Sequence, residues 1–436
     1  IACGNGNNGG DGAALARLLF LSGCDVTVLV SGGREKYSSA LRTQMEILER
    51  YCTCRGEKGG ADGSALTVIT DDDWKREREE GGRAYDLVVD ALFGIGLSRQ
   101  ITGNYQEKIE WLNGLGGKKA ALDIPSGVSA QDGSVLGCAF RADLTVTFGF
   151  LKRGMLLYPG REICGETIVA DIGITEESFL GRYPAGITIG RAASDGRVMS
   201  RGMGIAGEDS LRLLVKRTQN SHKGTYGKVI LFAGSAGAPG AALLAGEAVF
   251  RSGAGMLQMV SPPENRELVI SRLPEAMYRA LDENTDWEKL LDWCDVVVVG
   301  PGIGQGDIAE ASLEKILTLV SEKDLCKPIV LDADGLNLLA ASERLSELAK
   351  KYTGQGGIVI MTPHMAEFAR LLHCSVSEVQ RERLERLEKY CRETGAILVS
   401  KDAATVVGCA GESKSFQYYI NQTGNSGMAS AGSGDV

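Results

Sequence analysis

The polar chemistry of this 436-residue chain is concentrated in short glycine-rich runs. The first, CGNGNNGGDG (residues 3–12), sets Asn5, Asn7, Asn8 and Asp11 among five glycines. Gly4, Gly6 and Gly9 spell G-x-G-x-x-G, the spacing that brings a dinucleotide pyrophosphate to a helix N-terminus. A nicotinamide fingerprint also wants an acidic residue at the end of the second strand. Here VTVLVSGG puts Ser31 there, so the fingerprint is incomplete. The amide and carboxylate oxygens suit a hard cation as well, and a plain Gly/Asn turn stays open as an alternative. DALFGIGLSRQ (90–100) puts Asp90 late in a strand, before a glycine loop. LDIPSG (122–127) puts Asp123 and Ser126 at another strand end. Either aspartate alone reads equally well as a cap or turn former. Three polar loops on one sheet edge point to an active site, because ligands of open α/β sheets bind there.

The second half carries five features. HKGTYGKVILFAGSAGAPGAALLAGEAVFRSGAG (222–255) reads as a strand, a small-residue turn and an Ala/Gly helix that admits a ligand or a tightly packed neighbour. VVVVGPGIG (296–304) and TPHMAEF (362–368) end buried strands, and KDAATVV (401–407) is a lysine turn between two strands. NQTGNSGMASAGSGDV (421–436) closes in G-x-G-D. At a helix start, that motif aims N–H groups at a phosphate beside a carboxylate. This suits deprotonation of a hydroxyl for phosphoryl transfer. By itself it fits a sugar or vitamin kinase, or a flexible tail, equally well.

These loops need strands to hold them. Short β-branched runs at 25–30, 65–70, 86–93, 119–124 and 143–149 alternate with helix-compatible segments such as 38–51 and 105–113. A second series at 228–234, 295–300, 328–334, 357–363 and 396–401 alternates with helices predicted at 239–252, 307–323 and 375–394. Alternation of this kind predicts mostly parallel sheets covered on both faces. The first loop leads into a helix expected at about 11–22, and the charge run 71–80 reads as a solvated helix face. The pattern lapses over 184–226, which we take as the domain junction. The two halves share no obvious repeat.

The net charge of −9 disfavours general nucleic-acid binding. Eleven scattered cysteines fit thiols in a reducing, cytoplasmic setting, and three distant histidines disfavour a histidine-rich metal site. No apolar run reaches the ~20 residues needed to span a bilayer. IACG reads as the tail of a strand and GSGDV as the start of a helix, so both ends read as cut.

GNGNNGGDG, DALFGIGL, ALDIPSGV and TFGFLKRG, in that order over about residues 1–175, together resemble the NAD(P)H-hydrate epimerase domain. SHKGTYG with the later loops, over about 208–436, resembles the NAD(P)H-hydrate dehydratase branch of the ribokinase-like superfamily. The resemblance implies two three-layer α/β domains, a Rossmann-like sheet in 1–190 and a ribokinase-like sheet in 208–436. It implies epimerisation of R- and S-NAD(P)HX and nucleotide-driven dehydration of the S form, with small-molecule partners, no nucleic acid, no membrane, and a homo-oligomer expected. In the epimerase, Asn7, Asn8, Gly9, Gly10, Asp11, Asp123 and the loop Gly94, Ile95, Gly96, Leu97, Ser98, Arg99, Gln100 would line the hydrate site. Asn8, Asp90 and Ser126 would hold K+, Asp123 would move the proton, and Lys152 would orient phosphates or simply be solvated. In the dehydratase, Ala242, Gly302, His364 and Asp435 would contact the hydrate, with Asp435 as base. Lys401, Asp402, Ala403, Ala404, Thr405 and Gly434 would contact the nucleotide, expected as ADP with Mg2+. Ser426, Ala431, Asp402 and the pair Met365–Ala366 depart from the family's usual Pro, Gly, Gly and Pro-Gly.

Overall fold

The computed structural model describes residues 1–55, 65–79, 84–174, 186–190, 205–206, 217–323, 325–411 and 416–436. Contacts divide the chain into two compact units, the first closing near residue 183 and the second reaching residue 436. Most of the stretch read as the junction lies outside the described residues.

The first unit is built on β1 (Ala2–Cys3), β2 (Val26–Val30), β3 (Leu66–Ile69), β4 (Leu87–Ala91), β5 (Lys118–Leu122), β6 (Leu144–Phe148) and β7 (Glu166–Ala170), in the order β3-β2-β1-β4-β5-β6-β7. Every pairing is parallel. Consecutive strand residues point to opposite faces. Val28, Leu29 and Val30 are all buried, so both faces are covered, as a parallel sheet requires. The winding reverses between β1 and β4, which opens a crevice beyond their carboxyl ends.

The opening helix runs from Asn7 to Leu21, four residues earlier than expected. Gly6 takes the extended N-cap position, so Asn7, Asn8 and Asp11 project from the first helical turns, not from a free loop. Two glycines permit this. A Cβ on Gly4 would fall 1.9 Å from the Leu92 carbonyl oxygen, and one on Gly9 would fall 1.8 Å from that of Gly4. Farther along, Ala13, Ala16 and Phe20 of this helix join Leu41, Met45 and Leu48 in one core cluster. The charge run forms a helix over Asp71–Glu79, but not a purely solvated one, since its Trp74 is fully buried.

The second unit holds β8 (Gly186–Gly190), β9 (Ile205–Ala206), β10 (Lys228–Phe232), β11 (Met256–Ser261), β12 (Met277–Ala280), β13 (Val296–Val299), β14 (Ile329–Leu331), β15 (Val359–Met361), β16 (Ile397–Ser400), β17 (Val406–Ala410) and β18 (Phe416–Asn421). Their order is β12-β11-β10-β13-β14-β15-β16-β17-β18-β8-β9. Among the described strands, only β17 runs antiparallel to its neighbours. Here the winding turns at β10, between the helix Pro239–Arg251 and the loop after β13.

Three details depart from the sequence reading. Residues 186–190, assigned to the first domain, pair in parallel with β18, because a strand's place is decided by its ladder partners. The helix predicted over 375–394 is two helices, Val376–Arg381 and Arg383–Thr394, broken at Glu382. The final loop makes turns at 431–435 instead of starting a helix. Among the described residues, no helix is long and apolar enough to cross a membrane.

Two candidate active sites

At the crevice of the first sheet, three segments meet around the backbone of Phe93. Asn8 Nδ2 donates to the carbonyl oxygens of Phe93 at 2.9 Å and Leu122 at 3.3 Å. Its Oδ1 is buried and has no partner among the described residues. Ser126 Oγ accepts from the Phe93 N–H at 2.9 Å and donates to Asp90 Oδ1 at 2.7 Å. The Ser126 N–H reaches Asp90 Oδ2 at 2.7 Å. Asp90 is fully buried, and among the described residues no basic side chain pairs with it. Burial pushes its carboxyl up to about 6, against hydrogen bonds from Ser126 and Leu92 that pull it down.

Asp123 stands on the other side of Gly94. Its φ of +66° lies in a region unusual for a non-glycine residue, the kind of strain that collects at functional sites. Its Oδ1 pairs with Lys152 Nζ at 2.6 Å, and its Oδ2 accepts from the Ile95 N–H at 3.2 Å. A Cβ on Gly94 would meet Asp123 Oδ2 at 2.9 Å and Asn8 Cβ at 3.5 Å. Glycine there lets the helix, the loop and Asp123 close on one another. Lys152 is neither a free phosphate ligand nor solvated. Thr147 Oγ1 at 2.7 Å and the Phe148 carbonyl at 3.0 Å hold it against Asp123. Asp11 faces the same space. Its carboxyl is raised by burial and then by the charge of Asp123. Asn7, Ile95, Gly96, Ser98, Arg99 and Gln100 form an exposed rim with Leu97 half-buried, whereas Gly9 and Gly10 are buried and shape the turn.

The donor set of Asn8, Asp90, Ser126 and the Phe93 and Leu122 carbonyls is all oxygen with one negative charge. That composition fits a hard, weakly polarising cation. The unpartnered Asn8 Oδ1 supports the fit, because a buried acceptor without a partner costs about 1–3 kcal/mol.

In the second unit, the ends of β13, β14, β15 and β16 stand side by side. Lys401 Nζ, after β16, pairs with Asp332 Oδ1 at 2.7 Å, after β14. Thr362 Oγ1, after β15, donates to the same oxygen at 2.7 Å. Gly434 comes close, since its Cβ position would lie 3.8 Å from Lys401 Nζ. The Asp435 carboxyl is raised by burial and by Asp332, and lowered in part by Lys401. Gly432 packs on Leu244 of the helix Pro239–Arg251, and Gly302 (φ +65°) packs on Ala238 and Ala241 at the same helix. The predicted loops therefore share one rim. Two predicted contacts sit otherwise. Ala242 is fully buried in the core. His364 caps the helix Met365–Leu371, its Nδ1 accepting from the Ala366 and Glu367 N–H groups. That is the turn role which its sequence position also allowed.

Two family models match the chain. One, described as YjeF-related protein N-terminus, covers residues 1–154, and one described as NAD(P)H-hydrate dehydratase covers 229–436. A bifunctional NAD(P)H-hydrate repair enzyme of Coxiella burnetii is 35% identical over 437 residues, covering 100% of this chain and 78% of its own length. The Escherichia coli counterpart is 32% identical, with 100% and 74% covered. The chain belongs to the bifunctional NAD(P)H-hydrate repair enzymes. A Bacillus subtilis ADP/ATP-dependent NAD(P)H-hydrate dehydratase, crystallised with ATP and Mg2+, is 32% identical over 53% of this chain and 76% of its own, with a TM-score of 0.44.

Sequence reasoning missed three side chains in this repair-enzyme fold. Lys108 is fully buried, donates to Ser31 Oγ at 2.8 Å and pairs with Asp71. The carboxylate near the end of β2 thus comes from Asp71, whose Oδ2 lies 3.5 Å from the Gly32 N–H. No local motif announces that contact. Asp332 was visible only as part of a strand. Arg383, buried beneath the Lys401–Thr405 turn, donates to the Ser400 carbonyl at 2.6 Å and the Ala404 carbonyl at 3.0 Å, and faces Asp402 at 3.4 Å. Arg383→Met is therefore expected to cost about 3 kcal/mol of stability in the second unit, by leaving those carbonyls unpaired. Denaturant unfolding of that unit measures it, and a loss below about 1 kcal/mol would show that the pin is dispensable.

Proposed function

We propose that the chain repairs hydrated nicotinamide cofactors, interconverting R- and S-NAD(P)HX in its first unit and dehydrating the S form in its second at the expense of an adenine nucleotide. The observation that carries this reading is that the likeness to bifunctional repair enzymes runs through 100% of the chain, not one half of it. The site geometry adds support, with a carboxylate at the rim of each sheet.

In the first unit the substrate carbon bears both a hydroxyl and the ring nitrogen. Inverting it requires a group that moves a proton at one of those two atoms. Asp123 is that group in our reading, oriented by Lys152 and the Ile95 N–H. Asn8, Asp90 and Ser126 would hold K+. The ion would supply fixed positive charge, which lets Asp90 stay ionised and orders the three segments. In the second unit Asp435 takes the proton of the C6 hydroxyl. The oxygen then attacks the terminal phosphorus of the nucleotide, whose bond to the bridging oxygen breaks and releases the shortened nucleotide (AMP from ADP), and the C6–O bond then breaks to free inorganic phosphate. The ring nitrogen donates its electron pair, and loss of a C5 proton restores the dihydronicotinamide. Lys401 and the Lys401–Thr405 turn would face the nucleotide phosphates. Mg2+ accompanies such phosphates and would neutralise their charge. The fusion with the epimerase, an arrangement expected to use ADP, makes ADP our first choice of nucleotide.

The test mixes the chain with racemic NADHX and either ADP or ATP. Full recovery of dihydronicotinamide absorbance with stoichiometric phosphate release is expected. Recovery of only half would remove the epimerase, and a stable phosphorylated product would make the chain a small-molecule kinase.

The potassium assignment has its own pH signature. The Asp90 carboxyl sits at about 6, above its ordinary 3.8, so the fold disfavours the ionised form. Its stabilising contribution is complete below about pH 4 and is lost as pH rises through 6, worth about 3 kcal/mol by neutral pH. A cation beside the carboxylate offsets that loss. Potassium is therefore expected to raise the melting temperature of the first unit at about pH 7.5 and hardly at about pH 4.5. Asp90→Asn should abolish the difference. An equal effect at both pH values would remove Asp90 from the ion's ligands.

A further inference from the structure

Asp332 lies outside the groups that the proposed dehydration uses, yet its backbone and carboxylate are both firmly held at that rim. Its N–H donates to the Val299 carbonyl at 3.0 Å, and its own carbonyl accepts from the Gly335 N–H at 2.9 Å. Gly300 packs so closely that a Cβ there would fall 1.7 Å from the Asp332 carbonyl oxygen. Next to it, Ala333 takes φ +46°, a conformation strained for a non-glycine residue that persists only where its surroundings enforce it. From this fixed backbone one carboxylate oxygen takes both the Lys401 ammonium and the Thr362 hydroxyl, each at 2.7 Å.

We propose that Asp332 is a positioning residue of the dehydratase centre, holding the Lys401 ammonium off Asp435. The inference rests on the function proposed above. The Lys401 ammonium pairs with Asp332 and lies beside Gly434, the residue before Asp435, and the charges of both Asp332 and Lys401 reach the Asp435 carboxyl. Among the described residues, the other element ends at this rim bring no second cation. His364 after β15 is committed to capping its own helix, and the helix under Gly432 presents Leu244. An ammonium paired with Asp435 would neutralise the base and lower its proton affinity. Pairing with Asp332 leaves Asp435 free and keeps Lys401 beside the place of a phosphate. The raised carboxyl of Asp435, pushed up by burial and Asp332 and lowered by Lys401, agrees with this arrangement.

The test uses the full chain, S-NADHX and whichever of ADP or ATP the wild type accepts. Asp332→Asn is expected to lower kcat about tenfold or more, with the nucleotide KM changed less than about threefold. The acid limb of the kcat–pH profile should move to lower pH, because Asp435 then carries Lys401. In a Lys401→Met background the same substitution should change kcat little, since the group it acts through is gone. If Asp332→Asn fails to fold by thermal melting, Thr362→Val loosens the same carboxylate and should move kcat and the acid limb in the same direction, by less. Equal losses with and without Lys401, or an unmoved acid limb, overturn the positioning role alone. A wild type that dehydrates nothing with either nucleotide overturns the function and this inference together.

Discussion

Asp123→Asn is expected to slow interconversion of R- and S-NADHX by about 10²–10⁴-fold, the usual contribution of a positioned acid–base group. Dehydration of pure S-NADHX should continue at the wild-type rate, because that chemistry belongs to the other unit. The substitution is close to isosteric. Asparagine tolerates the +66° φ of this position and can still accept from the Ile95 N–H, while the ion pair with Lys152 is lost. A folding defect is therefore not the expected cause. Chromatographic separation of the two epimers over time measures the rate. Interconversion at more than about a tenth of the wild-type rate would mean that another group moves the proton, and Asp11, whose carboxyl burial and Asp123 raise, would be next to replace.

Asp435→Asn should remove nucleotide-driven dehydration by about 10³-fold or more while sparing epimerisation. An amide cannot accept the hydroxyl proton, and the rest of the rim remains. The wild-type profile should show an acid limb above the ordinary carboxylate range, since burial and the charge of Asp332 raise this carboxyl more than Lys401 lowers it. Initial rates of dihydronicotinamide recovery from the S hydrate, taken across pH, report both effects. Nucleotide affinity, followed by calorimetry, should change little. If turnover persists in the variant, phosphoryl transfer does not depend on Asp435, and the closing G-x-G-D run is a phosphate loop without a base.

Sequence alone determined the architecture because that information is local and repeated. Runs such as VTVLV and KVILF can only be strands buried on both faces, and their alternation with helices forces parallel sheets. Glycine runs at strand ends then mark the rim where ligands bind. On that basis Asn8, Asp90, Asp123, Ser126, Lys401 and Asp435 were all legible as site candidates. Tertiary structure decided how those groups are wired. That Lys152 is pinned to Asp123, and that the acid near β2 is Asp71 held by a buried Lys108, depends on residues 29 and 37 positions apart meeting in space. The pairing of Lys401 with Asp332 spans 69 positions. The distinction follows from the range of the forces. Backbone propensity and hydrophobic period act within a few residues and can be read along the chain. Charge pairing and desolvation act through space, and take their sign only once packing has chosen the neighbours.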